Sequence, residues 1–249
     1  MISQNLLTEI REEIQTRFGL NSHFPGLNVS GLWPSEMERL AYAVLAGSEK
    51  ARNSNWINIG SWNGSSDIIL CLAKQKEKLD GKVYSIDPKF SSFFDYNISK
   101  GNFGDLNVKI NDYSQNLRKH LTEPVGFAFI DGFHSFLQVL QDFAEIEPLL
   151  VKGGVIAFHD CSPQADNLEH LQKSAKWSQD NFTALTSSKV EDFYIDEAIG
   201  RILERYPDFQ ILKIPIGKDA KYFAETGLKV FKRGKTSCFN SLFTIKRNE

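Results

Sequence analysis

Four stretches of the chain place polar residues at spacings that chemistry needs. In INIGSWNGSSDIIL an apolar run ends at Gly60, a short loop reaches Gly64, and Ser65 and Ser66 open a helical pattern. Such a loop lets backbone approach a ligand closely, and the unpaired N–H groups at the helix start bind its polar or anionic parts. The same glycines also suit a tight turn with no ligand, and the third glycine of the dinucleotide-binding GxGxxG pattern is missing. In YSIDP a second apolar run ends in Asp87, about one βαβ unit further on. An acid there lies beside the first loop of a doubly wound sheet and can accept both hydroxyls of a ribose. Its alternative role is to cap the turn at Pro88. FAFIDGFHSF ends a third run in Asp131, with His134 at the next helix start, and GGVIAFHD ends a fourth in His159 and Asp160. Ligands of open α/β sheets bind outside the carboxyl ends of the strands near the switch point, so these four side chains should converge there.

The elements that must position them follow from periodicity. WINIG (56–60), KVYSID (82–87), LNVKIN (106–111), VGFAFID (125–131) and GGVIAFHD (153–160) are short apolar runs that predict strands. Between them lie helical patterns: one opening at Gly64–Ser66, one over 92–102, one from Tyr113 to Leu121, and one from Ser135 to Leu150. In the last, Phe136, Val139, Leu140, Phe143, Ile146 and Leu150 share a face. Strands alternating with helices at this spacing predict βαβ units, hence an α/β fold with a mostly parallel, doubly wound sheet. Ahead of the first strand, residues 3–18 have a helical period. Ser35 and Glu38 read as a capping box for a second helix over 35–47. FQILKIPI (209–216) predicts a late strand, and the C-terminal stretch ending in SLFTIKR predicts a hairpin or strand pair that adds an antiparallel strand.

Length and composition bound the rest. The chain has 249 residues, 41% hydrophobic and 24% charged, which suits a single domain with a sizeable core. We expect an N-terminal helical cap over 1–50, a cofactor-binding core over 51–160, an insertion over 161–200, and C-terminal strands over 201–249. A formal net charge of -2 gives no global attraction to nucleic acid or anionic membrane. Glu9, Glu12 and Glu13 interrupt any secretory signal at the N-terminus, and no apolar run is long enough to span a bilayer. Three widely spaced cysteines, Cys71, Cys161 and Cys238, fit a reducing compartment, so the expected location is cytoplasmic.

Taken together, INIGSWNGSS, YSID, NDYSQNL, FAFIDGFHSF and GGVIAFHD resemble the class I S-adenosylmethionine-dependent methyltransferases. The likeness is closest to the catechol/caffeoyl-type and macrocin- or mycinamicin-type O-methyltransferases and covers roughly residues 35–160. It implies a Rossmann-like sheet and S-adenosyl-L-methionine as cofactor. Gly60, Ser61, Gly64 and Ser65 would cradle its methionine and ribose, Asp87 would bind the ribose hydroxyls, and Asp112, Tyr113 and Ser114 would edge the adenine. Asp131 would lie beside the cofactor and, with Asp160, match acidic positions that hold Mg2+ or another divalent cation in metal-dependent members. His159 is the candidate for the third metal position, and His134 matches the catalytic base of sugar-methylating members. The implied acceptor is a hydroxylated small molecule: a sugar, a natural product or a phenolic. Neither nucleic acid nor membrane is an expected partner, and homo-oligomer formation stays open.

The sequence departs from that pattern in two places. Asn58 stands where the first strand of the family usually carries an acid, and His159 stands where relatives carry an acid or Asn. Three rival readings share the sheet: a nicotinamide-dependent oxidoreductase, a cofactor-binding protein without catalysis, and a metal-dependent hydrolase using Asp131, His134, His159 and Asp160. The basic run Lys229, Lys232, Arg233 and Lys235 reads as a solvated strand edge, and nothing nearby activates Cys161. Trp33 and Trp62 flank the expected cofactor mouth, to stack on an acceptor or pack the cap.

Overall fold

The computed structural model describes residues 2–19, 32, 34–159, 161, 195–214 and 242–249. Their strands are β1 (Asn55–Ile59), β2 (Val83–Ile86), β3 (Asn107–Ile110), β4 (Val125–Ile130), β5 (Leu150–Phe158), β6 (Phe209–Ile211) and β7 (Phe243–Arg247). Their helices are α1 (Gln4–Arg17), α2 (Pro34–Leu45), α3 (Glu49–Arg52), α4 (Ser65–Glu77), α5 (Phe94–Gly101), α6 (Leu117–His120), α7 (Phe136–Ile146) and α8 (Ile195–Arg205). The strands form one sheet in the order β3-β2-β1-β4-β5-β7-β6. β1 to β5 run parallel, and β7 lies antiparallel between β5 and β6. The expected doubly wound, mostly parallel sheet with an antiparallel C-terminal strand is what the chain forms.

Alternation along the strands divides the core in two. In β4, buried throughout, Phe127 and Phe129 join a cluster with Leu40 of α2, Ile69 of α4 and Phe94 of α5. Ala128 and Ile130 point the other way, to Leu117 of α6, Val139 and Phe143 of α7, and Ile202 of α8. Period-two side-chain direction thus buries both faces of the sheet, and helices must cover both. The cap helices belong to the first layer: α1 packs on α2 and α4, with Ile10 and Ile14 fully buried.

Several expected boundaries shift, each for a local reason. The helix expected to reach Leu150 stops at Ile146 and passes through a 3-10 turn, Glu147–Leu149. Pro148 lacks an N–H and disfavours helix in the residue before it. β5 then starts at Leu150, three residues before the expected glycine pair, and a register shift against β4 between Val125 and Phe127 absorbs the irregularity. The helix expected over 113–121 is a 3-10 turn, Ser114–Asn116, followed by the single turn of α6. α2 already begins at Pro34, where proline's missing N–H costs nothing, so Ser35 lies within the helix and not ahead of it. Glu38 instead pairs with Arg11 of α1 at 2.5 Å. The short helix α3 was not anticipated. Among the described residues no helix is long and apolar enough to cross a membrane. Most of the expected insertion, the basic run, Trp33 and the end of the 209–216 strand lie outside the described residues.

Candidate active site

The strand order reverses between β1 and β4, and there the two strand ends come unusually close. The Asp131 N–H donates to Ile59 O at 2.9 Å, and the Gly60 N–H donates to Ile86 O at 2.9 Å. Gly60 has φ +87°, and a Cβ on it would stand 2.1 Å from the Asp131 carbonyl oxygen. Only glycine satisfies both the left-handed backbone and that approach. Gly64 is the residue before α4, also left-handed at φ +83°, and its N–H closes the loop onto Ser61 O at 2.7 Å. Ser61 and Ser65 are buried inside the loop: the Ser61 hydroxyl donates to Asn58 O and to Asp67, and the Ser65 N–H donates to Asn63 Oδ1. They shape the loop from within and do not line the cavity it borders.

That cavity holds about 330 Å3 at the switch point. Gly60, Asp87, Tyr113, Ser114 and Asp131 line it, as the sequence suggested, together with Trp62. Asp87 accepts the Trp62 N–H at 2.8 Å on Oδ2 and the Lys89 N–H at 2.7 Å on Oδ1. Each oxygen keeps a second lone pair, so two hydroxyl donors can still be accepted. Asp112 is turned elsewhere: it accepts from Tyr113 N and Asn116 Nδ2, and its Oδ2 lies 2.8 Å from His120 Nε2. The His120 contact comes first among the causes that hold its carboxyl down at about 2.

The lining residues missed include Gln115, Phe133 and Gln138. Gln115 follows directly on the NDYS stretch and was within reach of sequence reasoning. Gln138 was not, since it sits in the first turns of α7 among residues that read as packing. Its Nε2 donates to Asp142 Oδ1 at 2.7 Å and to Ser114 Oγ at 3.2 Å, while its Oε1 accepts from Gln115 at 3.2 Å. Burial pushes the Asp142 carboxyl up to about 6, against the hydrogen bonds from Ser114 and Gln138 that favour its charged form. The wall that carries Ser114 and Gln115 is therefore braced by a buried amide–carboxyl network.

On the opposite side the two histidines meet at one carboxylate. His134 Nε2 and His159 Nδ1 each lie 3.0 Å from Asp131 Oδ1, and the two rings stand 6.3 Å apart. Burial alone would raise the Asp131 carboxyl. The charge of His159 and the contacts to both histidines outweigh it and leave the group below its ordinary value. Glu36, buried at 1% exposure on α2, brings Oε2 to 3.4 Å from His159 Nε2. Asp160, the fourth expected member, lies outside the described residues. Among the described residues the cluster that could hold a cation is Asp131, His134 and His159. It offers one carboxylate and two imidazoles, a donor set that does not fit Mg2+, which takes oxygen ligands.

The remaining departure from the family pattern also resolves structurally. Asn58 is fully buried and its Nδ2 donates to Asp67 Oδ2 at 2.7 Å and to Ser66 Oγ at 2.9 Å. Asp67, in the first turn of α4, further accepts from Ser61 and from Ser85 of β2. Burial raises its carboxyl to about 7 despite these bonds.

The strand order and the cavity at the β1/β4 switch point define the fold of class I S-adenosylmethionine-dependent methyltransferases. Residues 57–161 match the model of a family described as a methyltransferase domain. Comparison with curated proteins by sequence gives no match. Among solved structures, an O-methyltransferase from Bacillus cereus in complex with SAH aligns over 100% of this chain and 93% of its own, at 17% identity and TM-score 0.55. The O-methyltransferase TomG from Streptomyces achromogenes, in complex with SAM, covers 99% and 91% at 16% identity and TM-score 0.54. A presumed rRNA methylase from Clostridium thermocellum covers 86% and 96% at 15% identity and TM-score 0.54. At these identities the likeness is one of fold.

Proposed function

We propose that the chain transfers a methyl group from S-adenosylmethionine to a hydroxyl of a small molecule, such as a sugar, a natural product or a phenolic. The observation that carries this reading is the switch-point cavity, lined by Gly60, Asp87 and Asp131, with His134 in contact with Asp131 from outside the lining. Bound there, the cofactor supplies an electrophilic methyl on sulfur, so that an O–C bond forms as the C–S bond breaks. Gly60 admits the cofactor's backbone-facing edge, Asp87 accepts the two ribose hydroxyls, and Tyr113, Ser114 and Gln115 flank the base. Asp131 faces the amino-acid end, where its carboxylate suits an ammonium group. Ser61, Gly64 and Ser65 hold the loop's shape, and Asp112 holds the turn that presents Tyr113.

Displacement at a methyl group needs alignment and a deprotonated nucleophile. His134, one-third exposed with Nε2 on Asp131, takes the acceptor proton, and Asp131 stabilises the imidazolium that results. The O-methyltransferases among the structural relatives support a hydroxyl acceptor. The setting we propose is the cytoplasm, where buried thiols such as Cys71 and Cys161 stay reduced. Calorimetric titration of S-adenosylmethionine into the purified protein tests the reading, with one site per chain at micromolar affinity expected. An absence of binding at millimolar cofactor would overturn it. His134→Ala should abolish turnover on an identified acceptor while leaving cofactor affinity unchanged, and full turnover would remove the assigned base.

A further inference from the structure

The amide–carboxyl network that braces Ser114 and Gln115 has a direction. Asp142 is fully buried on α7 and is not among the residues lining the cavity. Its Oδ1 accepts from Gln138 Nε2 at 2.7 Å, and Gln138 Oε1 accepts from Gln115 Nε2 at 3.2 Å. Given the reading of that cavity as an S-adenosylmethionine site, on which this rests, we infer that Asp142 is a positioning residue for the cofactor's base. Acting through Gln138, it fixes Gln115 Oε1 as the acceptor for the 6-amino group and so selects adenine over a 6-keto purine such as hypoxanthine.

The oxygen and nitrogen ends of an amide have nearly the same shape, so a glutamine in isolation can present either one. A carboxylate cannot donate, so the end of Gln138 that meets Asp142 must be nitrogen. Gln138 Oε1 is then turned to Gln115, where it demands the nitrogen end of that amide. Gln115 Oε1 is left outside the series. Burial holds the Asp142 carboxyl up at about 6, so it is ionised at about pH 8 and the order is fixed. The Ser114 hydroxyl reinforces it, since its oxygen accepts from the same Gln138 Nε2 at 3.2 Å and its proton is left for Asp142. The series ends at the cavity. Gln115 lines it, and Gln115 Oε1 is a buried acceptor with no hydrogen-bond partner among the described residues. A buried carbonyl left unpaired costs free energy that a donor on a bound ligand recovers. The exocyclic amine of adenine is such a donor. Hypoxanthine sets a carbonyl in the same place, oxygen against oxygen. Gln115 cannot turn to meet it without reversing Gln138 against the Asp142 charge.

The test is calorimetric titration of S-adenosylhomocysteine and S-inosylhomocysteine into the wild type and three variants at that pH. The wild type should prefer the adenosyl compound by at least ~10-fold. Asp142→Asn lets the series reverse, because asparagine can donate to Gln138 Oε1, and the preference should fall below about threefold. Gln138→Met breaks the series in the middle and leaves Asp142 its bond from Ser114, so it should act in the same way even where Asp142→Asn fails to fold. Gln115→Met removes the acceptor and should abolish the preference. A purely structural role for Asp142 would weaken both ligands alike and leave their ratio unchanged. A smaller wild-type preference would overturn the inference alone. So would a preference left unchanged by Gln115→Met, or by whichever of Asp142→Asn and Gln138→Met folds. Binding of neither compound to the wild type would defeat the methyltransferase reading itself.

Discussion

Asp67 makes a quantitative prediction, because its burial and its partners are both defined. The carboxyl is fully enclosed by Asn58, Ser61 and Ser85 and titrates at about 7, against 3.8 when free. Between those values the folded protein keeps a proton that the unfolded chain has released. Stability from this group is therefore fully present below about pH 4 and is lost as pH rises through 7. From pH 5 to pH 8 the loss is about two units' worth, or ~3 kcal/mol at 1.4 kcal/mol per unit. Asp67→Asn removes the titration while keeping the size of the side chain, and the Ser61 and Ser85 hydroxyls can turn to accept from the new amide. Any packing cost of the substitution is the same at both pH values and drops out. Urea denaturation followed by circular dichroism, on both proteins at pH 5 and pH 8, measures the double difference. The variant should gain about 3 kcal/mol on wild type between the two conditions. Asp142 and Asp131 are perturbed as well, but they are common to both proteins and cancel. A double difference below about 0.5 kcal/mol would show that Asp67 is ionised throughout and that its three donors outweigh burial.

Three further outcomes are expected. Gly60→Ala should weaken S-adenosylmethionine binding by at least ~100-fold in calorimetry, because the new Cβ meets the Asp131 carbonyl and the backbone at φ +87° resists it; a change under about threefold would refute the close approach. Asp87→Asn keeps one oxygen, enough for the Trp62 or the Lys89 N–H but not both, and loses the charge that strengthens its hydroxyl bonds, so cofactor affinity should fall about 10- to 100-fold at a stability cost of about 1 kcal/mol. Lys74→Met should cost roughly 3 kcal/mol in urea denaturation, since the buried ammonium bridges the carbonyls of Arg52, Ser54 and Asp80 and stacks on Trp56; a loss under about 1 kcal/mol would show that water replaces it.

What could be read from the sequence depended on how locally each feature is encoded. The continuous apolar run VGFAFI and the apolar spacing along FLQVLQDF are properties of a few adjacent residues, so the strand and helix they predict formed as expected. Gly60, Asp87, Asp131 and His134 were legible because each ends a strand or opens a helix, where topology alone brings them to the switch point. Boundaries failed where a single residue overrode a period: the face shared by Phe143, Ile146 and Leu150 continues past Pro148, but the helix does not. Partners failed more often than positions. Asp112 lies in the expected turn, yet its carboxylate goes to Asn116 and His120, residues whose spacing carries no recognisable pattern. Glu36 and Gln138 could not be found at all. Each sits on a helix whose period explains it as ordinary packing, and its contact with the site exists only once α2 and α7 are laid on opposite faces of the sheet.

Asn58 shows how far such a reading can go before packing must decide. As an isolated departure it removes a charge near the cofactor's amino-acid end and argues for weakened binding. In the fold its side chain points away from the cavity, into the first layer, and donates to Asp67 on the helix that the glycine loop opens. The acid absent from β1 is thus present on α4, nine residues on, tying β1, β2 and the loop together through Asn58, Ser85 and Ser61. An acid at position 58 would face Asp67 across that short contact, and two carboxylates there could not both ionise without strong repulsion. Asparagine at 58 and aspartate at 67 are therefore one structural choice, which leaves Asp131 and Asp87 as the carboxylates that face the cavity.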